Sequence, residues 1–139
     1  MNQKENYFTW VKGEKSPINK YFATNEFSCK CQHEDCKEQK ISVDLIQRLT
    51  KIREELNKPL IITSAFRCSK YQEDLRKAGA NTVVAKKSTH ELGEAADVVP
   101  KNATVDDLKP IAEKHFDSIG LAKNFLHLDT RKGYRRWNY

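Results

Sequence analysis

The stretches STHELGEAAD at 88–97 and FLHLDTR at 125–131 decide the interpretation of this chain. They supply His90, Asp97 and His127, of which Asp97 stands among alanine and valine. A carboxylate in an apolar strand needs a charged partner or a metal ion, because burying an unpaired charge is costly. Two imidazoles and one carboxylate with an open fourth position form the ligand set of a catalytic zinc ion. The sequence therefore predicts a zinc site that serves hydrolysis.

Residue periodicity predicts how these ligands meet. Side chains alternate along a strand, so in 125–129 Leu126 and Leu128 should pack on helices while Phe125, His127 and Asp129 line a cleft. Residues 95–99 are predicted to form an adjacent strand whose Asp97 projects into the same cleft. Gly93 should let the loop that holds His90 fold back over that strand.

The remaining pattern predicts an α+β protein with one small domain, a central, mainly antiparallel sheet flanked by helices, and a metal cleft on one sheet face. A helix is expected over 42–57, capped by its first serine and with apolar residues at helical spacing. A buried strand is expected over 60–63, and further helices over 71–78 and 104–115. Residues 1–21 are predicted to be an irregular N-terminal arm, and residues 22–139 the zinc peptidase domain.

The order Ser-x-His-(x6)-Asp at 88–97 and His-x-Asp at 127–129 resembles the zinc-dependent murein peptidases. This family is related to the D-Ala-D-Ala carboxypeptidases and to the L-alanyl-D-glutamate endopeptidases of phage lysins. ITSAFRC at 62–68 is similar to the family's Ser-Gly-x-Arg element, and the resemblance extends to NEFSCKC at 25–31. It implies that Zn²⁺ is held by three ligands, that one arginine is a catalytic substrate clamp, and that one serine binds substrate. By position, the zinc ligands are His90, Asp97 and His127. The arginine clamp is Arg67, and the substrate-binding serine is Ser88.

Two positions depart from the family pattern. Ala65 replaces the usual glycine, and Asn124 stands where several relatives have a catalytic Asp or Glu. We assign the general base to Asp129, because it shares a predicted strand face with His127. Its alternative role is to hold a ligand or to pair with Arg131.

The resemblance implies a hydrolase that cuts amide bonds in peptidoglycan stem or cross-link peptides containing D-amino acids, as a D,D-carboxypeptidase or an endopeptidase. Asn124 keeps open a second interpretation, a non-catalytic, metal-containing cell-wall binding module of the same fold. A third is a non-haem iron site built on His127, Asp129 and another histidine. Non-haem iron enzymes usually carry His-x-Asp early in the chain, with the second histidine far downstream. Here His-x-Asp is the later of the two motifs, which disfavours an iron site.

The charge balance limits the partners. The chain has 25 Lys and Arg against 19 Asp and Glu, a formal net charge of +6, which favours anionic partners such as cell wall. The basic residues are scattered among acidic ones, so nucleic acid is not expected. The densest basic run, 131–137, is either a solvated rim or a substrate-facing wall. No apolar run predicts a membrane span or a signal peptide, so we expect a cytoplasmic monomer, as for a phage or prophage lysin that reaches the wall after release.

The four cysteines leave three states open, namely free or labile thiols, two disulfides, or a second, structural metal site. They are Cys29, Cys31, Cys36 and Cys68. A bridge or metal that includes Cys68 would tie the Arg67 loop to the N-terminal cysteine segment. A cysteine nucleophile is not expected, because no motif couples a cysteine to a histidine base.

Overall fold

A computed structural model describes residues 1–79 and 88–139. The smaller sheet contains β1 (Asn2–Lys4), β2 (Tyr7–Val11) and β3 (Glu38–Ser42). The larger sheet contains β4 (Leu60–Ser64), β5 (Ala95–Pro100), β6 (Ser118–Leu121), β7 (Leu126–Asp129) and β8 (Arg135–Asn138). The helices are α1 (Val43–Leu56), α2 (Ser69–Lys77) and α3 (Val105–Ala112), and a short 3-10 helix spans Thr24–Glu26.

The larger sheet has the strand order β4-β5-β7-β6-β8. Its neighbouring strands run antiparallel, except β6 and β8, which are parallel. This arrangement confirms the predicted α+β class with a central, mainly antiparallel sheet.

The helix α1 forms where the sequence predicts it. The Ser42 hydroxyl accepts a hydrogen bond from the Leu45 N–H at 3.1 Å, and Asn57 ends the helix in the left-handed conformation at φ 54°. Leu45 and Leu49 lie on the predicted apolar face and are fully buried. The helix therefore covers the core side of the large sheet.

The core and the functional cleft lie on opposite faces of β7. Leu126 and Leu128 are fully buried and join the hydrophobic core with Val98 of β5 and Leu108 of α3. The predicted alternation along this strand is confirmed, so the opposite face is free to carry polar side chains.

Two structural predictions were wrong. The segment 1–21 contains the β1-β2 hairpin, and β2 pairs with β3 along its whole length. The partner strand lies far along the chain, so local composition did not reveal the pairing. The strand β4 forms but is buried on one face only: Leu60 and Ile62 join the core, whereas Ile61 points to the opposite face and is 45% exposed, because side chains alternate along the strand. The domain boundary at residues 21 and 22 stays a prediction.

The helices of the described residues are all too short or too polar to cross a lipid bilayer.

Candidate metal centre

The site lies on one face of the large sheet, where strand register places a row of residues side by side. Asp97 of β5 pairs with His127 of β7, and His127 pairs with Gly120 of β6. The row continues to Ser64 of β4 on one side and Trp137 of β8 on the other. Asp97 and His127 thus come together through strand pairing, as the sequence predicts.

The three predicted ligands converge. The ligand atoms of His90, Asp97 and His127 all lie within 4.8 Å of one another, and all three residues are buried. Asp97 Oδ1 is 3.3 Å from His90 Nε2 and 3.1 Å from His127 Nδ1. Two imidazole nitrogens and one carboxylate oxygen facing a common point are the donor set of a three-ligand zinc site.

The second nitrogen of each imidazole makes a hydrogen bond on the side away from the other ligands. His90 Nδ1 lies 2.7 Å from the Ala65 carbonyl oxygen, which can only accept, so this nitrogen carries the proton. His127 Nε2 lies 2.7 Å from Asp129 Oδ2, to which it donates in the same way. His90 Nε2 and His127 Nδ1 therefore keep their lone pairs for a metal, the arrangement that supporting groups give metal-binding histidines.

A tight turn presents His90 to the sheet. The Ser88 hydroxyl accepts a hydrogen bond from the His90 N–H at 3.1 Å, and the Gly93 N–H donates to the His90 carbonyl. Gly93 has φ +70°, and a Cβ there would meet the Lys40 carbonyl oxygen at 2.9 Å. Only glycine fits this turn without strain, which agrees with the predicted folding back of the loop. Substrate binding by Ser88 stays a prediction.

The electrostatics favour a charged Asp97 facing the imidazoles. Burial alone raises the pKa of Asp97, but hydrogen bonds from His127 and His90 outweigh it and hold the pKa well below its usual range. Burial lowers the pKa of His90, whereas the two carboxylates beside His127 overcome its burial and raise its pKa. An anionic carboxylate between two imidazoles is a strong attractor for a divalent cation.

Arg67 lies beside these ligands. Its Nε donates to the Ser64 hydroxyl at 3.0 Å, and its Nη2 lies 3.5 Å from Asp97 Oδ2. Its backbone N–H donates to the His90 carbonyl at 3.2 Å. The Arg67 side chain is 17% exposed. Its role as a substrate clamp stays a prediction.

Asp129 is fully enclosed on the far side of His127. Its Oδ2 accepts hydrogen bonds from His127 Nε2 and from the Ser118 hydroxyl at 2.9 Å. Its Oδ1 accepts from Nε and from the backbone N–H of Arg131, both at 3.0 Å. Burial raises the pKa of Asp129, but His127 and Arg131 outweigh it and hold the pKa well below its usual range. These contacts orient His127 and leave neither oxygen free to face the metal point.

An aromatic wall stands next to His127, formed by Phe125, Trp137 and Tyr139. The Trp137 ring centroid is 5.2 Å from that of His127, and the Tyr139 centroid is 5.4 Å from that of Phe125. A Cβ on Gly120 would meet the Trp137 indole at 2.6 Å, so the glycine gives the ring its place. The strand pattern predicts Phe125 on this face, and the sequence leaves open that the run 131–137, which ends at Trp137, is a substrate-facing wall; Tyr139 was not predicted.

The other histidines and Asn124 lie apart from this centre. His33 pairs with Asp74 and His115 with Glu55, each at 2.7 Å. Asn124 is exposed in the turn before β7. The described contacts give none of these residues a part in the centre.

The four cysteines form a separate group, here called the thiol cluster and consisting of Cys29, Cys31, Cys36 and Cys68. Their Sγ atoms all lie within 4.8 Å of one another, and all four are free thiols. Cys29, Cys31 and Cys36 are buried and Cys68 is half-buried. The thiol cluster adjoins the loop that carries Arg67.

Comparison with models of protein families shows the family to which this chain belongs. The model of the family described as Peptidase M15 matches residues 20–129. The matched range contains every predicted metal ligand, Arg67 and the thiol cluster. No curated protein matches the chain.

Proposed function

Because the chain belongs to the peptidase M15 family of zinc murein peptidases, we propose that it hydrolyses amide bonds in peptidoglycan peptides containing D-amino acids. The observation that carries this proposal is the convergence of His90, Asp97 and His127 within 4.8 Å on one sheet face. Each of the two imidazoles has its second nitrogen already engaged. The remaining nitrogens, His90 Nε2 and His127 Nδ1, both lie next to Asp97 Oδ1, and this convergence of three donor atoms is what a metal ion requires.

The donor set suits zinc, which prefers nitrogen ligands with one carboxylate and leaves a fourth position open in catalytic sites. Zinc bound there would polarise a carbonyl and lower the pKa of a water ligand to ~7. The sheet contributes rigidity, since Asp97 and His127 are fixed by strand pairing. Asp97 supplies the one negative charge among the three ligands.

Arg67 is proposed to hold a carboxylate or carbonyl of the substrate. Ser64 fixes its Nε, and its two terminal nitrogens make only long contacts, Nη1 with the Gln72 side-chain oxygen at 3.4 Å and Nη2 with Asp97 at 3.5 Å. A guanidinium held in this way can present paired N–H groups to a substrate oxygen pair, which a lysine cannot copy. Fixing the substrate next to the metal ligands provides the positioning that peptide hydrolysis needs.

Asp129 is proposed to position His127 rather than to act as the general base. Both of its oxygens already accept hydrogen bonds, and it has no exposed surface. A base must lie within hydrogen-bond reach of the proton that it removes. Asp129 instead stabilises the tautomer of His127 that has its lone pair on Nδ1.

The aromatic wall is proposed to contact the substrate peptide, and the basic surface is proposed to bind the cell wall. Phe125, Trp137 and Tyr139 offer an apolar side to the cleft, suited to the small alkyl side chains of D-alanine-containing peptides. The net charge of +6 favours accumulation on an anionic cell wall. Exposed charges are screened over ~8 to 10 Å at physiological ionic strength, so added salt should weaken wall binding more than hydrolysis of a small soluble peptide.

The direct test is mass spectrometry of muropeptides incubated with the protein, with a chelator, and with a chelator followed by zinc. We expect new products in the first and third samples only. Loss of a terminal residue would identify a carboxypeptidase, and separation of two peptides an endopeptidase. If muropeptides stay unchanged under every metal supplement while zinc and wall fragments still bind, the protein is the non-catalytic binding module instead.

A further inference from the structure

The thiol cluster, which the proposed function does not use, has the dimensions of a metal site. Its sulfur atoms all lie within 4.8 Å of one another, and Cys31 Sγ is 3.6 Å from Cys68 Sγ. Four sulfurs at ~2.3 Å from a tetrahedral zinc ion are ~3.8 Å apart. Shifts of less than about 1 Å would therefore bring the thiol cluster to zinc geometry.

Backbone and side-chain donors already surround the sulfurs. The backbone N–H of Cys31 approaches Cys29 Sγ, and that of His33 approaches Cys31 Sγ, each two residues after the thiol concerned. The Cys68 N–H donates to Cys29 Sγ, and the Tyr71 N–H donates to Cys68 Sγ, both at 3.4 Å. Hydrogen bonds of this kind stabilise sulfur in the thiolate form, which is the form that binds metal.

Positive charge also faces the thiol cluster. Lys12 Nζ lies 3.3 Å from Cys31 Sγ and donates to the Cys31 carbonyl oxygen. Cys68 is the N-cap of α2, so the positive end of this nine-residue helix points at its sulfur. Four thiolates around one divalent ion carry an excess of negative charge, and these two features offset part of it.

The buried Gln39 side-chain amide donates to Cys36 Sγ at 3.4 Å, and apolar side chains pack around the rest of the thiol cluster. Phe66 and Tyr71 pack against the thiol cluster, and Phe66 is 9% exposed. The ligands are all sulfur, a soft set that suits zinc rather than magnesium or calcium. Two disulfides would need the sulfurs in separate pairs, whereas here each sulfur lies within 4.8 Å of the other three.

We propose that the thiol cluster binds one structural zinc ion, distinct from the ion held by His90, Asp97 and His127. The site would be closed, with four protein ligands and no position for water or substrate.

Its role follows from the segments that it joins. Cys29, Cys31 and Cys36 lie in the irregular stretch before β3, whereas Cys68 directly follows Arg67. Hydrogen bonds already link the two segments, with the Phe66 N–H donating to the Phe27 carbonyl. The ion would fasten the Arg67 loop to the N-terminal part of the fold and so hold the guanidinium at the cleft.

The test uses the full chain and counts metal. Wild-type protein purified with zinc should hold about two ions per chain, and the His90→Ala/His127→Ala double variant about one. Cys31→Ser should lose the second ion, while Gln32→Ser, a change at an exposed neighbour, should keep both. Metal retention in the double variant is independent of activity, so this result stands whether or not the protein is a peptidase.

Spectroscopy of wild-type protein covers the case in which a cysteine variant does not fold. Cobalt in place of zinc should give strong sulfur-to-metal charge-transfer absorption, and X-ray absorption should detect Zn–S distances of ~2.3 Å. Added zinc should also protect all four thiols from alkylation. Absence of the charge-transfer band, equal alkylation with and without zinc, or two disulfides in the purified protein would each overturn the proposal.

Discussion

The residues that the structure describes include two clusters of metal-ligating side chains that are built in different ways. In the His-Asp centre, Asp97 and His127 are paired residues of adjacent strands, and the hydrogen bonds of Ala65 and Asp129 orient the imidazoles. In the thiol cluster, three ligands lie in a stretch without regular structure, and the fourth lies at a helix N-terminus.

This difference separates the duties of the two clusters. Strand pairing already holds the His-Asp centre in place, so its metal ion is not needed for folding and is available for catalysis. A cluster whose ligands lie mostly outside helices and strands joins segments that no sheet pairing holds together, so an ion bound there contributes to folding stability. We therefore expect changes at the thiol cluster to act mainly on stability and changes at the His-Asp centre mainly on turnover.

The largest expected effect is on stability at the thiol cluster. Cys31→Ser should lower the free energy of unfolding by about 3 kcal/mol or more, which corresponds to a fall in Tm of about 10 °C, because the structural ion is lost. Thermal unfolding of zinc-loaded protein measures it, with Gln32→Ser as the control. At temperatures below the lowered Tm, the variant should keep part of its turnover. An unchanged Tm would remove the distinction between the two clusters.

Arg67→Lys should give the opposite pattern. Loss of the paired N–H groups should lower kcat/KM on a muropeptide by about 10²-fold, comparable with removal of one oriented donor, because lysine cannot hold two oxygens at once. The Tm should stay within a few degrees of wild type. Arg76→Lys, at an exposed pair with Glu73, is the matched control. A large fall in Tm with turnover retained would make Arg67 structural.

Asp129→Asn should weaken zinc binding at the His-Asp centre by about 10- to 100-fold, the usual effect of losing a group that supports a ligand. Zinc titration with a competing chelator measures this, and the ion of the thiol cluster should be unaffected. Asp106→Asn changes an exposed carboxylate and serves as control. If zinc affinity is unchanged while hydrolysis is abolished, Asp129 is the general base after all.

The smallest effect is expected at the aromatic wall. Gly120→Ala places a Cβ 2.6 Å from the Trp137 indole, which must then move away from His127. We expect kcat/KM to fall by about 10-fold, mainly through KM, since only an apolar contact of about 1 to 2 kcal/mol is disturbed. Zinc content should not change. Steady-state kinetics on a soluble peptide measure this change in KM. An unaltered KM would show that the aromatic wall does not bind substrate.

Much of the fold and of the centre could be predicted from local patterns. The spacing of Leu45 and Leu49 with a serine cap predicts α1, and the alternation from Leu126 to Asp129 predicts which face of β7 carries polar groups. The prediction of an irregular arm was wrong because β2, which carries the β1-β2 hairpin, pairs with β3, a contact between residues far apart in the chain.

By itself, the sequence determined the kinds of chemical groups and their order along the chain. A carboxylate among alanine and valine, with two histidines in separate motifs, required a charged partner or a metal wherever the chain folded. The resemblance of the segments 62–68, 88–97 and 127–129 to murein peptidases was also available from residue order alone. These features depend on the identity of each residue and on short distances along the chain.

Only the tertiary structure decided which groups face each other. Strand register set Asp97 opposite His127, placed Asp129 behind the imidazole, and seated Trp137 over Gly120. The spacing of the four cysteines left three states open, and the structure brings their sulfur atoms within 4.8 Å of one another. A carboxylate two residues from a ligand can face the metal or stand behind the ligand, and side-chain packing across strands, rather than sequence distance, selects between the two.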